Sequence, residues 1–109
     1  MYYKEKKIYL SGGISGRVYT QVRDHFDSME DYLVAFGHEV CNPAKFGVDE
    51  RSWEEYMRMS IVELMGCDAI LMLQGWNRSR GATIERNLAW NLNIPVYYER
   101  EYEGETEWK

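Results

Sequence analysis

Short apolar runs alternate along the chain with longer segments in which apolar residues recur at helical spacing. The first run, Lys7–Ser11, is closed by two glycines and is typical of a β-strand. The next segment has apolar residues at steps of three and four, which predicts a long helix with one buried stripe and a stop at Gly37. That stripe consists of Val18, Val22, Phe26, Met29, Leu33 and Phe36.

A second strand and a second helix are predicted in the middle of the chain. Glu39–Cys41 form a short strand ended by an Asn-Pro pair, and residues 44–51 show no period, which predicts a loop. Ser52 and Glu55 have the spacing of a capping box, in which each side chain satisfies a free backbone N–H of the other residue. The apolar face of this helix consists of Trp53, Met57, Ile61 and Leu64, and Gly66 closes it.

The last third of the chain continues the alternation. Residues 69–73 are apolar without interruption, as in a central strand of a parallel sheet that is buried on both faces. A loop over 74–80, a helix over about 80–92 and a strand over 94–98 are predicted next. The acidic tail, residues 99–109, is expected to be a mobile end or an arm that contacts a partner.

The order β-α-β-α-β-α-β predicts a single three-layer α/β domain over residues 1–109. Short loops and right-handed crossovers turn this order into a Rossmann/flavodoxin-like parallel sheet of about four strands, with helices on both faces and strand order 2-1-3-4. Ligands bind such sheets at the carboxyl ends of the strands where the order reverses. The crevice between strands one and three is therefore the expected ligand site.

Composition limits the expected partners. The net charge is −5 over 109 residues, and an acidic surface repels phosphate backbones, so a nucleic-acid polymer is not an expected partner. Neither Cys41 nor Cys67 has metal-like spacing, so both are expected to be packed free thiols, with no metal and no cofactor. No stretch approaches the ~20 apolar residues of a membrane span, and no apolar leader segment follows the N-terminus, so a cytoplasmic protein without membrane contact is expected.

The loop after the first strand, residues 11–17, is rich in glycine. Gly12 and Gly13, followed by Ile14, let the backbone approach a ligand closely, and the helix start offers unpaired N–H groups to an anion. The spacing differs from the dinucleotide fingerprint GxGxxG, and no acid ends the second strand to bind a ribose hydroxyl. A tight strand-to-helix turn without a ligand is the alternative interpretation.

The loop before the third helix, residues 75–81, combines a helix cap with positive charge. Ser79 is a good N-cap, and Gly81 lets a ligand approach the helix start. Arg78 and Arg80 add two cations, so phosphate or a sugar hydroxyl would suit this position. An ordinary capped helix with solvated arginines is the alternative.

Glu85 interrupts the apolar stripe of the third helix. A carboxylate that faces an apolar sheet costs several kcal/mol unless it is paired or lines a cavity. One turn into the helix, Glu85 is expected to point at the crevice, where such a group suits a nucleophile or a base. A helix-start acid that pairs with Arg86 or bends out to solvent is the alternative. The expected stripe consists of Gly81, Ala82, Leu88, Ala89 and Leu92.

Other side chains are weaker candidates. Trp76 is expected either to stack on a base from the crevice rim or to cover the core. Asp68 begins the third strand, where it is a candidate substrate contact or a structural cap. His25 and His38 have no acid or thiol at telling spacing and are expected to be structural. Trp90 falls on the opposite side of the third helix from the carboxylate, which fits a subunit contact.

Three motifs carry a resemblance to a known family. They are IYLSGGISG at 8–16, GHEVCNP at 37–43 and CDAILMLQGWNRSRGATIERNLA at 67–89. The sequence resembles the nucleoside 2-deoxyribosyltransferase-like proteins, especially a small uncharacterised branch of them, over residues 7–99. The combination of a strand, the pattern S-x-G-x-x-x-E and a helix is the specific part of the resemblance.

The resemblance implies a covalent glycosidic mechanism. In the related enzymes the glutamate of that pattern attacks the anomeric carbon of a deoxyribose, the base leaves, and another base or water takes the sugar. Glu85 is that nucleophile by resemblance, and Ser79 and Gly81 hold the sugar or its 5′ end. A serine at this position contacts phosphate in nucleotide-cleaving relatives, which favours a 5′-phosphorylated ligand with the neighbouring arginines as helpers. Tyr9 and the glycines of the first loop match residues that lie against the sugar and base.

One position departs from the family pattern. The related enzymes carry an aspartate on the second helix that helps to protonate the leaving base, and here the residue is Ser60. It should face the site, but a hydroxyl is a poor general acid. The leading hypothesis is therefore an enzyme that cleaves or exchanges the base of a (deoxy)nucleoside or its 5′-monophosphate. A nucleotide-binding or sensing module without turnover and a purely structural protein are the alternatives, and the resemblance implies a homodimer or larger homo-oligomer.

Overall fold

The computed structural model describes residues 7–14, 17–47 and 49–99. Ser15 and Gly16 of the first loop, and the part of the predicted acidic tail from residue 100 onward, lie outside the described residues. The elements in chain order are β1 (Lys7–Ser11), α1 (Tyr19–Ala35), β2 (Glu39–Cys41), α2 (Trp53–Met65), β3 (Ala69–Met72), α3 (Arg80–Asn91) and β4 (Val96–Tyr98). Short 3₁₀ turns lie at Pro43–Phe46 and Trp76–Arg78.

The four strands form one parallel sheet with the order β2-β1-β3-β4, which confirms the predicted α/β topology. Strand β1 is central, because Ile8 pairs with Val40 of β2 on one side and with Ala69 of β3 on the other. The carboxyl ends of β1 and β3 therefore lie side by side at the point where the strand order reverses, which is where such sheets bind ligands.

The pleat of β1 sends alternate side chains to two separate cores. Ile8 and Leu10 pack with α1, whereas Tyr9 belongs to the core on the side of α2 and α3. Ser11 follows the same alternation as Tyr9, so both hydroxyls face α3. The core on the α1 side is built from Ile8, Leu10, Val22, Phe26, Leu33, Ala44, Ala69, Leu71 and Leu73.

Some predicted boundaries differ from the structure at element ends. The stripe residues Val18 and Phe36 flank α1 and are 60% and 46% exposed, because the helix reaches only from Tyr19 to Ala35. Leu92 lies beyond the last turn of α3 and is 51% exposed. The predicted loop over 44–51 begins as a 3₁₀ turn, since the Asn42 side chain accepts a hydrogen bond from the backbone of Ala44.

Two strands are shorter than predicted. Strand β3 ends at Met72. Strand β4 begins at Val96 rather than at residue 94, because the Ile94 N–H still donates to the carbonyl of Ala89 at the end of α3. A backbone group that completes a helix end is not available to pair with the sheet.

Both cysteines are buried free thiols, as predicted. A hydrogen bond with Cys67, followed by burial, raises the pKa of Cys41 far above its ordinary value. No helix in the described part of the chain is long and apolar enough to span a membrane.

Replacing Ser52 with alanine is expected to destabilise the protein by about 1 kcal/mol. The Ser52 side chain accepts a hydrogen bond from the Glu55 N–H at 3.1 Å, and the Glu55 carboxylate accepts one from the Ser52 N–H at 2.7 Å. The substitution leaves one N–H at the start of α2 without its partner. Urea unfolding measures the effect, with a Ser28→Ala variant on the exposed face of α1 as control. Equal loss in the two variants would contradict the capping role.

Candidate active site

A cavity of about 920 Å³ opens at the carboxyl ends of β1 and β3. Its wall is formed by the loop after β1, the turn after β3, the start of α3 and the inner side of α2. Of the candidate site residues, Tyr9, Gly12, Gly13, Ile14, Ser60, Ser79, Arg80, Gly81 and Glu85 line it. The structure thus brings nine side chains and backbone positions from four elements to one site.

Glu85 lies at the base of this cavity on α3 and is only 5% exposed. One carboxylate oxygen accepts a hydrogen bond from the Tyr9 hydroxyl at 2.8 Å, and the other accepts one from the Ser11 hydroxyl at 2.6 Å. Arg86, the alternative partner, turns away and donates to the Tyr98 hydroxyl at 3.1 Å. Within the described residues the carboxylate is therefore held by two neutral donors and by no cation.

Burial has the largest effect on the pKa values of Glu85 and Tyr9. It raises the pKa of Glu85 above its ordinary value, and the hydrogen bonds from Ser11 and Tyr9 reduce the size of that rise. Burial, followed by the charge of Glu85, raises the pKa of Tyr9 well above its ordinary value. Tyr9 therefore stays protonated and acts as the donor, while the Glu85 carboxylate acts as the acceptor.

Ser60 lies on the inner side of α2 in the cavity wall and is 7% exposed. Its side chain is close enough to Tyr9 to work against the burial effect on the phenol, since hydrogen bonding from Ser60 lowers the pKa of Tyr9. The hydroxyls of Ser60 and Tyr9 and the carboxylate of Glu85 are therefore neighbours in the cavity wall.

The start of α3 forms the other end of the cavity. The Ser79 side chain accepts a hydrogen bond from the Ala82 N–H at 3.1 Å, which confirms the predicted N-cap. A Cβ atom at Gly13 would lie 3.3 Å from Cβ of Ser79, so glycine allows the first loop to approach the helix start this closely. A Cβ atom at Gly81 would meet the sulfur of Met57 at 2.9 Å.

The charge of the cavity wall is opposite to that of the whole protein. The net charge of the chain is −5. The described residues that line the cavity include three arginines, Arg17, Arg78 and Arg80, and one carboxylate, Glu85. Arg17 donates to the Gly13 carbonyl at 3.0 Å, which holds its guanidinium beside the first loop. The cavity therefore suits an anionic ligand.

The family model of a domain of unknown function, DUF4406, matches residues 6–98. The chain belongs to the DUF4406 family. No curated protein matches this DUF4406 domain.

Two candidate substrate contacts, Asp68 and Trp76, are not among the residues that line the cavity. Asp68 precedes β3 at the amino-terminal edge of the sheet, where its carboxylate accepts a hydrogen bond from the Lys7 N–H at 2.9 Å. Trp76 packs on the core, with its ring 5.8 Å from that of Tyr98. Asp68 therefore has the structural role, and Trp76 covers the core instead of facing a base.

Ser11 and His25 are two polar groups at the site that the sequence does not single out as functional. Ser11 ends the predicted first strand two residues after Tyr9, which places both side chains on one face of β1. His25 of α1 lines the cavity, and its Nε2 atom lies 2.9 Å from a carboxylate oxygen of Glu99. Its partner is 74 residues away, so no local spacing indicates the pair.

Trp90 is 62% exposed on the outer side of α3, with the Arg86 guanidinium 4.9 Å from its ring centroid. An exposed aromatic ring is compatible with the expected subunit contact, which stays a prediction. Within the described residues, no group of three or more His, Cys, Asp or Glu side chains is arranged to hold a metal ion.

Proposed function

We propose that this DUF4406 domain cleaves the N-glycosidic bond of a nucleoside 5′-monophosphate through a covalent intermediate on Glu85. The observation that carries the proposal is a buried carboxylate that faces a large cavity and is held by two hydroxyl donors instead of a cation. A carboxylate with a structural role is normally paired with a positive charge, because an unpaired buried charge is costly. Perturbed carboxylates in cavities are typical of catalytic groups.

The chemistry uses Glu85 as a nucleophile. A carboxylate oxygen attacks C1′ of the sugar, and the C1′–N bond breaks with its electron pair going to the base. The glycosyl ester is then attacked at C1′ by water or by a second base, which releases the Glu85 carboxylate. Tyr9 and Ser11 hold the carboxylate in position through its two oxygens. The resemblance to nucleoside 2-deoxyribosyltransferase-like proteins supports the same role for Glu85.

The anionic part of the substrate is the basis for choosing a 5′-monophosphate. Three arginines line the cavity of an otherwise acidic protein, and the N-terminus of α3 adds the partial positive charge of its free N–H groups. An uncharged nucleoside would bring no anion to offset the positive charge of these arginines. A phosphate near Ser79 would accept hydrogen bonds from the start of α3 and from the arginines.

The decisive experiment measures free base. The protein is incubated with ribo- and deoxyribonucleosides and with their 5′-monophosphates, each with and without a second base, and the products are separated by chromatography. Release of base from a 5′-monophosphate, faster than from the matching nucleoside, supports the proposal. Absence of release from every compound under both conditions contradicts it.

Replacing Arg78 with glutamine is expected to raise KM for the 5′-monophosphate about tenfold, since a charge-assisted contact contributes about 1.5 kcal/mol or more. The rate with the matching nucleoside should be unchanged, because that compound has no phosphate. Steady-state kinetics on both compounds measures the difference. Arg58→Gln, an exposed position of α2 outside the cavity wall, is the matched control. An equal effect of Arg78→Gln on both compounds would contradict phosphate binding at this end of the cavity.

A nucleotide-binding module without turnover is the second candidate, and Ser60 is the observation that favours it. The resemblance places an acid at this position in active relatives, and the serine hydroxyl is a poor proton donor. Saturable binding of a 5′-monophosphate by calorimetry, together with no base release, would establish this function instead.

A further inference from the structure

A histidine of the cavity wall, His25, is hydrogen-bonded to a carboxylate, Glu99, that is not among the described residues lining the cavity. Helix α1 carries His25 to the cavity wall, and Glu99 follows the last residue of β4. The Nε2 atom of His25 lies 2.9 Å and 3.1 Å from the two carboxylate oxygens of Glu99. One of these oxygens also accepts a hydrogen bond from the Gln74 N–H at 2.8 Å, so the carboxylate is fixed behind the imidazole.

The carboxylate determines which ring nitrogen is available to a ligand. Partial burial acts to raise the pKa of Glu99, but hydrogen bonds from His25 and the Gln74 N–H hold it below its ordinary value. Glu99 is therefore an anionic acceptor, and the Nε2–H of His25 donates to it. This arrangement leaves Nδ1 to exchange a proton with a ligand.

The tyrosine hydroxyls among the described residues of the cavity wall are poorly suited to give up a proton. Tyr9 is protonated far above neutral pH and donates to Glu85. Tyr19 donates to the Ala44 carbonyl at 2.7 Å, and Tyr56 donates to the Gly47 carbonyl at 2.9 Å. Histidine is the side chain that ordinarily changes its charge between pH 5 and 8, so it is the natural proton donor at neutral pH.

We propose that His25, oriented by Glu99, donates the proton that the base needs as it leaves. The inference rests on the proposed function, and it assigns to His25 the role that an aspartate at the position of Ser60 would otherwise have. As Glu85 attacks C1′ and the C1′–N bond breaks, the Nδ1 proton moves to the base nitrogen that receives the electron pair. When water attacks the glycosyl ester, the now neutral Nδ1 accepts the proton that water loses, and the imidazolium is restored.

The test compares two leaving groups with one sugar phosphate. The substrates are the nucleotide that releases base fastest and the 4-nitrophenyl glycoside of the same sugar phosphate, whose leaving group departs as a stable anion. His25→Gln is expected to lower kcat for the nucleotide about 100-fold and for the nitrophenyl compound less than about threefold. Activity on the nitrophenyl compound also shows that the variant is folded. His38→Gln, between α1 and β2 and outside the cavity wall, is the matched control.

The variant Glu99→Gln tests whether the carboxylate positions His25. It is expected to lower kcat for the nucleotide more than for the nitrophenyl compound, because it removes the anionic acceptor that orients the imidazole.

Each outcome is decisive. Equal rates of wild type and His25→Gln on the nucleotide would overturn the role of His25 alone, and so would an equal loss on both leaving groups. No base release by the wild type would overturn this role together with the proposed function.

Discussion

Glu85→Gln is expected to abolish base release, with a loss of about 10⁴-fold or more in kcat, because an amide does not act as a nucleophile toward C1′. Glutamine has the same shape, and its side-chain oxygen still accepts from Tyr9 or Ser11. Binding of the nucleotide should therefore persist. Chromatography for free base measures the first effect, and calorimetry with the 5′-monophosphate measures the second.

The same substitution should leave stability unchanged or improve it at pH 8. Burial raises the pKa of Glu85, so between its ordinary and its raised value the folded state keeps a proton that the unfolded state has lost. Stability therefore falls as pH rises through that window, and glutamine removes this dependence. Thermal unfolding from pH 4 to pH 8 measures the effect.

Glu39→Gln, at an exposed position of β2, is the matched control for both measurements. Base release by Glu85→Gln at the wild-type rate would contradict the proposed role of Glu85 as the nucleophile. A large fall in its unfolding temperature at pH 8 would instead identify Glu85 as a structural carboxylate.

The fold could be predicted because each element has a strong local pattern. The uninterrupted apolar run over 69–73 and the helical spacing that includes Val22 and Phe26 identify the element types without tertiary information. The capping pair Ser52 and Glu55 then locates the start of α2. Element ends are less determined, because hydrogen bonds such as that of the Ile94 N–H to α3 depend on how the chain turns.

The position of the buried carboxylate at the site could be predicted for a related reason. A charged residue within an apolar stripe must find a partner or a cavity, and Glu85 is such a residue. The hydrogen-bond donors to Glu85 were harder to predict. The pleat of β1 puts Tyr9 and Ser11 on one face of the strand, but it does not determine which helix covers that face. His25 and Glu99 meet only after the whole sheet is formed, so no spacing indicates them.

The charge of the site is also a property of the folded chain. The count of ionisable residues gives −5, yet the described cavity wall holds three arginines and one carboxylate. The loops that carry Arg17, Arg78 and Arg80 are far apart in sequence and meet only because β1 and β3 are neighbours. A negative net charge can thus coexist with a local patch of positive charge in one cavity.

Tyr9→Phe is expected to lower kcat about 100-fold at pH 6, with a smaller loss at pH 8. The phenol is fully buried, and phenylalanine fills the same volume, so the change removes the hydroxyl that donates to Glu85 at 2.8 Å. Without that donor the pKa of Glu85 rises further, because burial then acts against one remaining hydrogen bond, from Ser11. The acidic limb of the kcat profile, where Glu85 gains its proton, should therefore move to higher pH. Tyr98→Phe, whose hydroxyl contacts Arg86 outside the cavity wall, is the control. Acidic limbs that coincide in Tyr9→Phe and the wild type would show that Tyr9 does not tune the nucleophile.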